Sequence, residues 1–120
     1  MNPGRELDAL IAEKVMGWRP HTVGPEILWS HDKTRQWSVS FIHIPHYSTD
    51  IRQAWEVVEK IHERRLFVSL TTMDGGATCI IHESPVFGNG EQFANKTSDT
   101  APHAICLAAL KAVGYEKGTL

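Results

Sequence analysis

Apolar residues recur at helical spacing in three stretches of the chain. Leu7, Leu10, Ile11 and Val15 share a face of a first helix, with Asn2 placed to cap it, Pro3 at its first position and Gly17 to stop it. Ile51, Ala54, Trp55, Val58 and Ile61 make the face of a second, after the capping oxygens of Ser48, Thr49 and Asp50. Glu56 and Lys60, four residues apart, favour that helix further. A third, from near Thr100 or Pro102 through Val113, is apolar almost all round.

Alternation with a period of two lies between these stretches. Leu66 to Thr72 reads as a strand, Met73-Asp74-Gly75-Gly76 as a tight turn, and Ala77 to His82 as the hairpin partner. A weaker strand runs around Glu91 to Lys96 beyond a loop through Gly88-Asn89-Gly90. Upstream, Pro20, Gly24, Pro25 and Pro45 interrupt the chain. There Glu26 to Trp29 and Gln36 to Ile44 flank a polar segment as a second hairpin, with Trp37, Val39 and Phe41 alternating with Ser38 and Ser40. The element order is helix, hairpin insertion, helix, three antiparallel strands, helix. That order predicts an α+β fold, a small α/β/α sandwich with helices packed on a short antiparallel sheet. Residues 1–120 are expected to form one domain with an insertion at about 19–44, consistent with 120 residues of which 42% are hydrophobic and 22% charged.

Surplus apolar faces on the last helix need a partner. Ala104, Ala108 and Ala112 form a small-residue stripe open to close helix packing, either against the chain's own helices or, the reading favoured here, against a second copy in a homo-oligomer. A net charge of −2 gives no broad basic field, so nucleic acid is not an expected partner. The opening residues lack a basic end and an apolar run, and no stretch reaches membrane-spanning length; a cytoplasmic protein without membrane contact is expected. Cys79 and Cys106 read as buried small hydrophobes.

Candidate chemistry is sparse. His43-Ile-Pro-His46 lacks the further ligands of a metal site, and His46, Ser48 and Asp50 are too close in sequence for a hydrolytic triad, so Ser48 reads as a helix cap. Glu83 and Glu91 read as solvated acids near a turn, and the glycine pairs fit no phosphate-loop or dinucleotide pattern. Trp55 belongs on the core side of its helix; Trp18, Trp29 and Trp37 read first as core or interface packing, with one of them a candidate stacking platform for a base. Neither catalytic residues nor a cofactor or metal is assigned, so an enzyme is not expected. The better candidate is a ligand-binding run of Phe93, Asn95, Lys96, Thr97, Ser98, Asp99 and Thr100 entering the last helix, where backbone N–H groups can hold a phosphate; Arg52 and Lys111 are the cations to add. Capping of that helix by Ser98, Asp99 or Thr100 is the alternative use of the same residues.

Three segments together resemble the phage ABA sandwich family of small phage proteins. They are Arg5-Glu-Leu-Asp-Ala-Leu-Ile-Ala-Glu-Lys-Val-Met-Gly-Trp18, Pro45-His-Tyr-Ser-Thr-Asp-Ile-Arg-Gln-Ala-Trp-Glu-Val-Val-Glu-Lys60 and Asp99-Thr-Ala-Pro-His-Ala-Ile-Cys-Leu-Ala-Ala-Leu-Lys111. That fold is in turn similar to the Thoeris anti-defence sponges, oligomers that sequester cyclic ADP-ribose isomers or cyclic oligonucleotides without cleaving them. The resemblance implies a counter-defence protein with a small nucleotide ligand and a homo-oligomeric state. Blocking of a host defence protein or RNA binding is the alternative, and nucleotide hydrolysis by converging histidines or by Glu83 and Glu91 a third reading.

Overall fold

A computed structural model describes residues 1–30, 38–40, 43–84 and 90–114. The first helix, α1 (Arg5–Lys14), begins later than the sequence suggests. Gly4 rather than Asn2 is its cap, at φ 145°, a backbone conformation that glycine adopts and that Asn2-Pro3 cannot extend as helix. Leu7, Ile11 and Val15 are buried as expected.

The insertion forms a three-stranded antiparallel sheet, β1 (Arg19–Val23), β2 (Glu26–Ser30) and β3 (Ser38–Ser40), in that order. The expected hairpin is present where it is described, with Leu28 opposite Ser40 and Trp29 opposite Val39. Residues 36, 37, 41 and 42 of the expected strand lie outside the described residues, as does the loop at 85–89. β1 escaped the sequence reading because Pro20 and Gly24-Pro25 resemble interruptions. Yet β1 is an edge strand, which tolerates proline, and Gly24 at φ 60° makes the turn into β2.

Helix α2 (Ile51–Glu63) is capped by Asp50, whose carboxylate accepts from the Arg52 and Gln53 amides. Ala54, Val57, Val58 and Ile61 are its buried face. Two expectations fail here: Trp55 is 49% exposed and Ile51 48%, so neither belongs to the core. Ser48 does not cap the helix either.

β4 (Leu66–Met73), β5 (Gly76–Glu83) and β6 (Gln92–Ser98) form the main antiparallel sheet, order β4-β5-β6. Asp74-Gly75 closes the β4–β5 hairpin, with Met73 opposite Gly76. Gly76 has no room for a side chain, since a Cβ there would sit 2.7 Å from the Ser98 carbonyl oxygen. Leu66, Val68 and Leu70 with Ala77, Cys79, Ile81 and Ala94 turn to the helices. Phe67, Ser69, Thr71, Phe93, Asn95 and Thr97 turn the other way.

Helix α3 (Ala101–Ala112) lies against β5 and β6, with α2 beside it and α1 behind it. Ala104 and Ala108 are wholly buried within the chain, together with Ile105, Cys106 and Ala109. The alanine stripe is therefore consumed in internal packing, and the interface expected at Ala104, Ala108 and Ala112 has lost its surface; Ala112 alone of the three is half-buried. Central position in a helical layer hides an all-apolar helix without a second copy. No helix among the described residues is long and apolar enough to cross a membrane.

Candidate functional site

The residues expected to bind a ligand do not gather. Along β6 side chains alternate, so Phe93, Asn95 and Thr97 project from the open face of the sheet while the intervening Lys96 is half-buried on the helix side. Asp99 and Arg52 are exposed in the turn before α3 and the first turn of α2. Lys111 sits in the last turn of α3, ten residues from its start and so about 15 Å along the axis.

The start of α3 is also poorly equipped for phosphate. Thr100 caps it, its side chain accepting from the His103 amide, and the Ala104 amide bonds to the Thr100 carbonyl. Pro102 has no amide proton to offer. The His103 ring is engaged by the Ser98 hydroxyl and by the Met1 carbonyl at 2.6 Å. Capping thus accounts for this region.

The residues around Ser48 are structural. Buried Asp8 accepts from the Ser48 amide at 2.8 Å, the Ser48 hydroxyl at 2.7 Å and the Arg5 guanidinium at 2.9 Å. Arg5 also donates to the Ile44 carbonyl at 2.7 Å and lies 3.2 Å from His46 Nδ1. One charge pair with its hydrogen bonds satisfied therefore ties the start of α1 to the segment entering α2. Glu83 and Glu91 are linked through backbone: the Glu91 amide donates to the Glu83 carboxylate at 3.3 Å, and the Glu83 amide to the Glu91 carbonyl at 2.9 Å. Among the described residues no three histidine, cysteine, aspartate or glutamate side chains assemble a metal site.

A different place brings binding groups together. A hollow of about 450 Å³ at the start of β4 is lined by His62, Arg65, Leu66, Phe67, Val68, Ser69 and His82. It wraps the strand edge, because Phe67 and Val68 project from opposite faces of β4. The Phe67 and His82 rings meet edge to face with centroids 5.8 Å apart. His82 Nδ1 lies 2.9 Å from the Glu83 carbonyl, which can only accept, so the proton is on Nδ1. In the neutral ring Nε2 then accepts from the Ser69 hydroxyl at 3.3 Å. Arg65 has φ 62°, the left-handed region in which non-glycine residues are rare.

Residues 9–110 match the Phage ABA sandwich domain family, which covers every residue lining this hollow. The chain belongs to that family. No curated protein and no solved structure matches it. In this ABA sandwich domain the matched region includes the whole main sheet and almost all of α3, while Arg5 and Asp8 of the buried charge pair lie before it. The hollow was missed in the sequence because its groups come from α2, a turn and two strands. One signal was available: counting outward from Asp74-Gly75 places Phe67 opposite His82.

Proposed function

We propose that this phage-family protein is a non-catalytic counter-defence protein that sequesters a host immune nucleotide, a cyclic ADP-ribose isomer or a cyclic oligonucleotide, in the host cytoplasm. The ligand sits in the hollow beside β4. The observation that carries the reading is the meeting there of an aromatic ring, a guanidinium, two imidazoles and a hydroxyl. A base can stack on Phe67, an interaction worth about 1–3 kcal/mol, while Arg65 and His62 face the phosphates. Tight retention needs no transition-state stabilisation, so these groups suffice without a catalytic set. The strained backbone at Arg65 supports the reading, because asparagine or glycine would fill that position at lower conformational cost. The resemblance to the Thoeris sponges supports the ligand class.

Equilibrium dialysis against a panel of cyclic ADP-ribose isomers and cyclic di- and trinucleotides tests it. At least one should be retained and be recovered unaltered after heat denaturation. Phe67→Ala and Arg65→Asn should each weaken retention about ten-fold, a loss of about 1.4 kcal/mol, and Arg65→Asn should do so with a thermal midpoint equal to or above that of the parent. Retention of none, or retention indifferent to both substitutions, would contradict the reading. A cleaved product would instead favour hydrolysis, with Ser69 and His82 as the hydrogen-bonded pair to examine.

A further inference from the structure

The hollow beside β4 is bounded by strand backbone as well as by side chains. Met73 and Gly76 flank the two-residue turn as a hydrogen-bonded pair, so the N–H and C=O groups of Thr71, Ser69 and Phe67 are the ones that alternation directs to β5. Those of Val68 and Leu66 point the other way, to an edge at which β4 has no partner among the described elements. Both residues line the hollow. Part of its wall is therefore main chain, with an amide donor and a carbonyl acceptor side by side on each of the two residues.

The side chains around this edge form a slot. Phe67 rises from the open face of the sheet and is 48% exposed, while Val68 projects on the helix side, where His62 comes in from the last turn of α2. A group that takes both hydrogen bonds of one edge residue lies in the plane of the sheet, so the slot fits something flat, with Phe67 over one face and Val68 and His62 against the other. On the open face the polar side chains are already engaged: His82 Nδ1 with the Glu83 carbonyl and Nε2 with the Ser69 hydroxyl. The edge of a flat ligand there meets backbone.

We propose that β4 reads the base of the bound nucleotide through its main chain, Val68 donating its N–H to a ring nitrogen and accepting at its C=O from the adjoining amino group. Adenine presents that acceptor and donor side by side at N1 and N6. The inference rests on the nucleotide reading and adds what selects among nucleotides: the base must keep its hydrogen-bonding edge free, and one substituted there is refused. Arg65, three residues before Val68 and so about 10 Å away along the chain, is left for the phosphates.

A nuclear magnetic resonance titration of the whole chain with three probes tests it: adenosine 5′-monophosphate, its N6,N6-dimethyl analogue and ribose 5-phosphate. Adenosine monophosphate should move the Val68 amide proton downfield. The dimethyl analogue keeps the stacking faces but has no N6 proton to give, and should bind at least about ten-fold more weakly. Ribose 5-phosphate should shift Arg65 and leave Val68 in place. Val68→Pro removes the donor without touching the pairing with β5, and should weaken adenosine monophosphate at least about ten-fold; Thr72→Pro, on the same edge but outside the hollow, should not. An analogue bound as tightly as its parent, a Val68 amide unmoved while Phe67 and Arg65 respond, or equal weakening by the two prolines would overturn this inference and leave the nucleotide reading standing. The analogue comparison needs no substitution, so it decides even if Val68→Pro unfolds the chain. No response to adenosine monophosphate from any residue lining the hollow would overturn both.

Discussion

Helices α2 and α3 lie side by side on the same face of the same sheet, yet they treat their apolar residues in opposite ways. α3, almost uncharged, hides Ala104, Ile105, Cys106, Ala108 and Ala109 inside its own chain. α2, the more amphipathic by sequence, leaves Ile51 and Trp55 about half exposed. Position explains the difference. α3 rests on β5 and β6 with α2 at its flank and α1 behind, whereas α2 sits over the edge strand with no described helix or strand beyond it. Apolar content therefore marks the centre of this helical layer, and misplaced apolar content marks its open end.

The contrast can be broken most forcefully at α3. Ile105→Ala, at a side chain 1% exposed, should lower unfolding stability by about 2–5 kcal/mol, read by chemical denaturation; a loss below about 1 kcal/mol would mean that α3 is not the packed centre. A smaller effect concerns the thiols against α3. Burial pushes the Cys79 thiol up to about 11 from an ordinary value of 9.0, and burial, with Asp8 and Cys79 nearby, raises Cys106 further. Unfolded thiols ionise first, so this contribution to stability is complete below about pH 9 and is lost as pH rises through about 11. Denaturation midpoints should fall across that window, and Cys79→Ala should flatten the fall; a midpoint independent of alkaline pH would argue against a dry interior there. The smallest effect belongs to α2. Trp55→Ala at high dilution should change stability by less than about 0.5 kcal/mol, and a loss of 2 or more would place Trp55 in the core after all.

Much of this contrast could be read in the residues, though not its direction. The three helices, the Asp74-Gly75 hairpin and β6 follow from spacing and turn chemistry, because those signals are local. Trp55 misled because its size suggests burial. On a helical wheel, however, it lies well to one side of Ala54, Val57, Val58 and Ile61, and that angle outweighs hydrophobicity. Ala104 and Ala108 are buried within the chain, but nothing local in the stripe says whether its neighbour belongs to the same chain. For the candidate site, Phe93, Asn95 and Lys96 looked adjacent in sequence while strand alternation sends Lys96 to the opposite face. Thr100 and Pro102 used up the helix terminus that a phosphate would need. The hollow itself depends on how α2 returns to β4 through Arg64-Arg65, a tertiary relation that periodicity does not encode.

Amide hydrogen exchange, followed by mass spectrometry, tests most directly the claim that α3 is the closed centre of the helical layer and that α2 over β4 is its open end. Peptides covering Ala101–Ala112 should be the more strongly protected, while Leu66–Met73 and the start of α2 should exchange sooner. Faster exchange over α3 than over β4 and the start of α2 would contradict the account.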